Sequence, residues 1–155
     1  MGARAGPEGD GGLPGLVCTA PTDVFAGELD LGAARILDCG TGHSASDSVV
    51  WVAAERILFA ADLLGVDSHL NLAHGDPRNW LANLDRLQVL APERVVPGHG
   101  PPAGPETIPV ARDYIETLLD LAARPGDHAM PDACAGWAFP EGFQQNIAAL
   151  RGADG

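Results

Sequence analysis

The stretch that decides the fold runs from Asp38 to Ala61 and reads DCGTGHSASDSVVWVAAERILFAA. Its first part is a loop of small polar residues that presents one imidazole, His43. Two apolar runs follow, Val49–Ala53 and Ile57–Ala61, and short apolar runs bounded by polar residues predict buried strands joined in a hairpin. The next residue, Asp62, is therefore expected at the end of a strand, where a rigid element would hold its carboxylate.

A second part of the pattern lies further along the chain, where Arg94–Val96 predicts a short strand that breaks into Pro-Gly-His-Gly-Pro. The histidine of this segment, His99, lies between two glycines, which allow positive φ and the close approach of a ligand. His43, Asp62 and His99 offer nitrogen and oxygen donors, so the sequence predicts a metal site. The alternative for each is structural: a loop histidine bonded to backbone, an aspartate that caps the following turn, or a histidine in a tight turn.

Three segments resemble metal-binding motifs of the metallo-β-lactamase-fold hydrolases. In chain order they are Gly-His-Ser-Ala-Ser-Asp-Ser before a hairpin, Leu-Phe-Ala-Ala-Asp-Leu-Leu, and Val-Val-Pro-Gly-His-Gly-Pro. The resemblance implies that His43 binds one metal ion, that Asp62 bridges two, and that His99 binds the second. It also implies that a histidine after the metal aspartate lines the substrate mouth, which makes His69 the candidate substrate-binding residue. A solvent-exposed loop histidine is the alternative for His69 and for His74.

The family's His-x-His-x-Asp-His signature, which lies upstream of these motifs, does not occur in this sequence. No two of the five histidines are separated by one residue, and none precedes His43. We therefore expect an α/β fold that is half of the four-layer αββα sandwich, a truncated form with one mostly antiparallel sheet and helices on one face.

The resemblance further implies a metal-dependent hydrolase. One or two zinc ions, or another divalent metal, would hold a hydroxide that attacks an ester, thioester, lactone or lactam bond of a small-molecule substrate. Asp62 is then a catalytic residue as well as a ligand. Because the upstream ligands are missing, we expect weak activity. The alternative is a non-catalytic remnant that serves as an assembly or metal-binding module.

Length, charge and cysteine usage narrow the class of protein. The 155 residues predict one domain, and the formal charge of −12 disfavours nucleic acid and anionic membrane partners. Three widely spaced cysteines form no Cys-x-x-Cys pair, which indicates neither a disulfide framework nor a zinc knuckle. No apolar run is long enough to span a membrane and no signal peptide is evident, so we expect a cytoplasmic protein.

The remaining segments are assigned by composition and periodicity. Residues 1–17 are rich in glycine and proline and are expected to be disordered, while residues 18–155 form the domain. Strands are expected near residues 28–31 and at Ala34–Cys39, an irregular loop at Leu63–Gly75, and helices at Pro77 to about Leu90, Pro109–Ala122 and Glu141–Leu150.

Several polar residues have mainly structural interpretations. Asp47 is expected to cap the His43 loop or to hydrogen-bond a metal ligand rather than to bind metal itself. Cys39 is expected to be buried rather than a thiolate ligand, and His128 to lie in an exposed loop. The hairpin strands are apolar at nearly every position, as in strands that are covered on both sides. The predicted helices can cover only one side. We therefore expect self-association through the uncovered sheet face, most simply as a two-fold dimer, or else poor solubility.

Overall fold

A computed structural model of the chain describes Val17, Thr19 and residues 21–153. The prediction of disorder for residues 1–17 falls outside the described residues except at Val17. The strands are β1 Glu28–Asp30, β2 Arg35–Gly40, β3 Asp47–Val52, β4 Ile57–Gly65 and β5 Arg94–His99. The helices are α1 Pro77–Val89, between β4 and β5, then α2 Thr107–Ala122 and α3 Glu141–Ala153, and a short 3-10 helix, Asp132–Cys134, precedes α3.

The five strands form one sheet in the order β1-β2-β3-β4-β5. The first three pairings are antiparallel and the last, between β4 and β5, is parallel. A parallel neighbour cannot be reached by a tight turn, so α1 provides the crossover connection. The predicted mixed α/β fold with a mostly antiparallel sheet is confirmed.

One face of the sheet packs on the helices. Trp51 of β3 pairs with Leu58 of β4, and Leu58 pairs with Val95 of β5, so these side chains lie on one face. They are buried together with Trp80 of α1 and Ile115 of α2 in a single hydrophobic cluster. The core is therefore the layer between this face and the helices.

The opposite face carries a continuous apolar row, which we name the open face. Its members pair in register from β1 to β5: Leu29, Ile36, Val50, Phe59 and Val96. Leu29 is 37% exposed and Phe59 is 43% exposed, and the other three are half-buried. In the part of the chain that the structure describes, the helices pack on the other side, so this face lacks a covering layer.

Helix α1 begins where the sequence predicts. Asp76 is the N-cap, and its carboxylate accepts hydrogen bonds from the backbone N–H groups of Arg78 and Asn79 at 2.9 and 3.1 Å. Pro77 occupies the first helical position, where its missing N–H costs nothing. The buried side of the helix carries Trp80, whose indole N–H donates to the carbonyl of Leu63 at 3.0 Å.

Several sequence-based boundaries are wrong. Strand β3 begins at Asp47 rather than Val49, and helix α3 runs to Ala153 rather than Leu150. Strand β4 does not stop at Ala61 but continues to Gly65, because Ala61 adopts a left-handed φ of 45° and the pairing with β5 shifts there without ending. Asp62 therefore lies inside a strand, and the loop after it starts at Val66. Strand β5 includes His99 as its last residue. Helix α2 starts at Thr107 rather than Pro109. Proline is tolerated as the third residue of this helix because the N–H groups of a first turn have no intrahelical partner.

Within the described ranges, no helix has both the length and the apolar character needed to cross a membrane.

The N-cap of α1 generates a first prediction. Replacing Asp76 by Ala removes the acceptor for two orphan N–H groups and should lower the free energy of unfolding by about 1 kcal/mol. Asp76→Asn keeps a capping oxygen and should retain most of the stability. Urea unfolding curves of the two variants measure this, and equal losses would show that the charge, not the cap, stabilises the helix.

Candidate metal centre

Three predicted ligands converge where β4 and β5 meet the loop between β2 and β3. The Asp62 carboxylate lies between two imidazoles: its Oδ2 is 3.8 Å from His43 Nε2, and its Oδ1 is 3.4 Å from His99 Nε2. Segments separated by more than fifty residues in sequence thus bring their polar groups to one place. The side chains are partly exposed, so solvent or a ligand can reach them.

The position of Asp62 depends on its neighbour strand. A Cβ atom at Gly98 would lie 2.1 Å from Asp62 Oδ1 and 2.8 Å from the carbonyl carbon of Ala61. Real Cβ atoms essentially never approach so closely, so residue 98 must be glycine for β5 to pass the carboxylate. The backbone of Ala61 has a left-handed φ immediately before Asp62, a conformation usually found at glycine.

The His43 loop is held by short-range hydrogen bonds. Asp47 accepts from the Ser44 hydroxyl at 2.6 Å and from the Ser44 N–H, so it caps the loop as predicted. The N–H of Asp76 donates to the carbonyl of Gly42 at 2.9 Å, which ties the loop to the start of α1. At Gly75 a Cβ would lie 1.7 Å from that carbonyl oxygen, so the two backbones touch.

Helix α1 also holds the end of β2 through polar side chains that the sequence analysis missed. Asn83 donates to the carbonyl of Cys39 at 2.7 Å, and Asn79 donates to the carbonyl of Thr41. Arg86 donates to the carbonyl of Asp38 at 3.3 Å. The signal was present: these three residues recur at helical spacing, and Asn83 is almost fully buried.

The aromatic neighbours fix the directions of the two imidazoles. The ring of His43 meets Trp80 edge-on, with centroids 5.6 Å apart, and the ring of His99 meets Phe139 at 5.5 Å. Phe139 holds a left-handed φ of 60°, an uncommon conformation for a bulky residue. His43 Nδ1 is buried and has no hydrogen-bond partner in the described structure.

The donor set fits a divalent metal in pairs. Two ligands about 2.0–2.2 Å from one tetrahedral zinc stand roughly 3.3–3.6 Å apart, close to both histidine–aspartate separations. The two pairs use different oxygens of Asp62, which suits a carboxylate shared between two ions. Among the described residues, no three His, Cys, Asp or Glu side chains are arranged to hold a single ion.

His43, Asp62 and His99 open onto a cavity of about 390 Å³. Its wall is partly apolar, from Leu70 and Phe139, and partly polar, from Asn71, Glu141 and Gln145. Neither lysine nor arginine occurs in the wall that the described residues form. The site therefore combines an imidazole–carboxylate cluster with a recess large enough for a small molecule.

A sequence model of the metallo-beta-lactamase superfamily matches residues 12–99, which is more than half of the 155 residues. The chain belongs to the metallo-beta-lactamase superfamily. The matched segment contains His43, Asp62 and His99, and the resemblance predicted from the motifs is confirmed. The roles of the three residues as ligands remain predictions.

Individual relatives place the chain within this superfamily. The linear primary-alkylsulfatase of a Pseudomonas species is 28% identical over 138 residues, and the match covers 80% of this chain and 26% of the sulfatase. The mono-zinc form of the metallo-beta-lactamase FIM-1 from Pseudomonas aeruginosa is 26% identical, with a TM-score of 0.56, and the match covers 61% of this chain and 46% of FIM-1.

A more distant structure shows the same fold. The metallo-beta-lactamase from Pontibacter korlensis is 24% identical, with a TM-score of 0.51, over 61% of this chain and 47% of that enzyme. The chain thus spans about half the length of the lactamases and about a quarter of the sulfatase. The prediction of about half of a metallo-beta-lactamase fold is confirmed.

The structure places His69 in a buried network of hydrogen bonds. Its side chain is 6% exposed, and its Nδ1 lies 2.7 Å from the Tyr114 hydroxyl. Asn146 donates to that hydroxyl at 3.3 Å and to the carbonyl of Leu70 at 2.6 Å, while accepting from the N–H of Leu72. Tyr114 and His69 thus share a buried hydrogen bond, and the tautomer of the imidazole sets which of the two donates.

The exposed-loop alternative is therefore wrong for His69, although it holds for His74. Besides Tyr114, the rings of Trp137 and Phe143 lie within 6.3 Å of the His69 ring. His69 also lines the cavity. Burial lowers the pKa of its imidazole, partly offset by the nearby Cys134 carbonyl, which favours the neutral form of the ring. Its role in substrate binding remains a prediction.

The other singled-out residues lie apart from the ligand cluster. Cys39 is buried, its thiol donates weakly to the carbonyl of Leu37 at 3.8 Å, and burial raises its pKa, all of which favour the structural interpretation. His128 is half-buried rather than fully exposed, and its Nε2 lies 3.2 Å from the carbonyl of Arg124.

The buried imidazole predicts a pH dependence of stability. The unfolded chain binds a proton near pH 6.5 that the folded His69 rejects, so the free energy of unfolding should fall as the pH drops below about 6.5, by up to about 1.4 kcal/mol per pH unit. His69→Gln should remove this component. Chemical unfolding between pH 7 and pH 5 measures both slopes.

His74→Gln, on the exposed loop, is the matched control and should leave the slope unchanged. Asp38 affects stability in a more acidic pH range. Hydrogen bonds from the Gly40 and Gly27 N–H groups lower its pKa, so its contribution to the free energy of unfolding is lost only when the pH falls through that lowered pKa. Parallel pH profiles for wild type and His69→Gln would contradict the prediction.

Proposed function

We propose that this chain carries part of a metal-dependent hydrolase site, in which His43, Asp62 and His99 bind zinc or another divalent metal, as one or two ions. The observation that supports this most directly is the placement of the Asp62 carboxylate between two imidazoles at separations typical of ligands that share an ion. Membership of a superfamily that includes sulfatases and lactamases supports the hydrolase class.

Each residue of the cluster has a distinct task in this proposal. His43 and His99 would bind through their Nε2 atoms as neutral imidazoles, so metal affinity falls when they are protonated. Asp62 would offer one oxygen to each side, which makes it the catalytic residue as well as a ligand. A bound divalent ion supplies Lewis acidity and lowers the pKa of water in its coordination sphere.

The cavity walls argue for an uncharged substrate. A volume of about 390 Å³ suits a small molecule, and Leu70 and Phe139 offer an apolar contact beside His99. Asn71 and Gln145 can hydrogen-bond an uncharged carbonyl or amide. The alkylsulfatase relative brings sulfate esters into consideration, but the described walls offer a sulfate no arginine or lysine, and Glu141 would repel it. We therefore favour carboxylic ester, thioester, lactone or lactam bonds.

Coordination number limits the expected activity. A hydrolytic zinc site uses about three protein ligands. Each pair here supplies only two, Asp62 and one histidine. Among the described residues, none provides His43 Nδ1 with the acceptor that usually fixes the tautomer of a metal-binding histidine. Both features favour weak metal binding and slow turnover by the residues that the structure describes.

The same spacing supports one alternative, a metal-binding or assembly module without turnover. Three donors that do not close on one ion can still hold a metal loosely. The two functions differ in whether Asp62 is needed for hydrolysis or only for binding.

Metal content tests the ligand assignment. We expect the purified protein to bind about one zinc ion or fewer per chain, more weakly than a complete structural site, and His99→Ala to abolish that binding. His74→Ala removes an exposed loop histidine and should leave the zinc content unchanged. Elemental analysis after equilibrium dialysis measures the ratio, and an unaltered zinc content in His99→Ala would show that the site is elsewhere.

Turnover tests the hydrolase assignment. With zinc added, chromogenic carboxylic ester, thioester, lactone, lactam and sulfate ester substrates should give rates far below the typical enzyme value of about 10 per second, with the sulfate ester slowest. Asp62→Asn should remove the activity, while Asp67→Asn, an exposed neighbour, should not. Zinc binding without any Asp62-dependent hydrolysis would favour the binding module.

A further inference from the structure

Two opposite charges flank the apolar row of the open face at two of its corners. Asp38 of β2 pairs with Ser48, two residues beyond the apolar row towards one end of the sheet. Arg94 of β5 pairs with Ile57, two residues beyond the row towards the other end. Because paired residues share a face and faces alternate along a strand, both side chains belong to the open face. Within the regular part of the sheet the other positions of this face are uncharged, and the Asp62 carboxylate lies beyond the register shift at Ala61, at the same end of the sheet as Asp38.

The two charges lie at diagonally opposite corners. β2 and β5 are separated by two strands, and the register places Asp38 and Arg94 on opposite sides of the central pair, Val50 and Phe59. Both charges persist at neutral pH: Arg94 is a guanidinium, and hydrogen bonds from Gly40 and Gly27 lower the pKa of Asp38. A two-fold axis that lies in the plane of the face, over the Val50–Phe59 pair and perpendicular to the Asp38–Arg94 diagonal, exchanges these two corners between facing copies.

We propose that a second copy of this chain packs on the open face about such an axis, with Asp38 of each copy against Arg94 of the other. A two-fold interface must be self-complementary, and an apolar centre with opposite charges at exchanging corners meets that condition. The neutral centre also matters, because two chains with a formal charge of −12 each can approach closely only through a surface that carries none of it.

The size of the face predicts a weak dimer. The regular strand positions place ten residues on this face, and at about 4.8 Å between strands and 6.7 Å between successive side chains they cover roughly 320 Å². Two such faces bury roughly 640 Å², at the low end of the sizes found in weak and transient complexes. We therefore expect association only at high chain concentration, on the order of a hundred micromolar.

The first test is a concentration series by sedimentation and light scattering on the full chain. Wild type should pass from monomer to dimer, and Phe59→Asp should remain monomeric over the same range. Val110→Asp is the matched control, since Val110 on α2 is 44% exposed and Phe59 is 43% exposed. Thermal unfolding should show that both variants fold. A dimer that survives Phe59→Asp with Val110→Asp unchanged would overturn the proposal.

The second test concerns the corners. Arg94→Glu places two carboxylates against each other at both contacts and should weaken the dimer at least about tenfold, beyond any effect of Arg94→Gln. The double variant Asp38→Arg with Arg94→Glu should restore association. If Arg94→Glu and Arg94→Gln behave alike, this two-fold arrangement is wrong.

Other occupants of the face give a different result. A monomer at every concentration, in which Phe59 is nevertheless protected from hydroxyl-radical labelling, would mean that another segment of polypeptide covers the open face. A monomer with Phe59 freely labelled would mean that the face stays in water. Either result overturns the second-copy proposal, and neither bears on metal binding at His99.

Discussion

The close passage of the β5 backbone beside the Asp62 carboxylate is the constraint on which the rest of the structure depends. It requires glycine at residue 98, because a Cβ there would overlap the carboxylate oxygen. It also requires a parallel pairing of β4 with β5, and a parallel pairing requires a crossover. Helix α1 is that crossover, and its capped start touches the His43 loop. His43 is therefore positioned by the same connection that brings Asp62 and His99 together.

Local chemistry made part of this fold predictable. The hairpin follows from two apolar runs around a polar turn, and α1 follows from an N-cap aspartate, a proline and an apolar stripe. Other features depend on contacts between distant segments. The left-handed φ of Ala61 carries no glycine signal, so the continuation of β4 past Asp62 could not be foreseen. The burial of His69 depends on Tyr114 and Asn146, which are remote in sequence.

The candidate site also combines features that the local sequence predicts with features that depend on distant contacts. The identities of His43, Asp62 and His99 followed from motif order, and the structure brings them together at one end of the sheet. Their supports did not follow. Asn79 and Asn83 look like ordinary polar positions of an amphipathic helix until the carbonyls that they hold are known. Superfamily membership fixes the fold more firmly than the reaction, because one fold hosts many chemistries and the site must decide.

The buried cysteine thiols and the Tyr114 phenol affect the stability of the fold at alkaline pH. All nine basic side chains are arginines, and several hold backbone carbonyls, as Arg86 does at the end of β2. A guanidinium keeps its proton at any pH that a protein survives, so these contacts do not titrate. Burial raises the pKa of Cys39, Cys134 and Tyr114 above their ordinary values, so alkaline solution favours the unfolded chain, in which these groups ionise freely. The alkaline limit of this protein is thus set by its weak acids rather than by its cations.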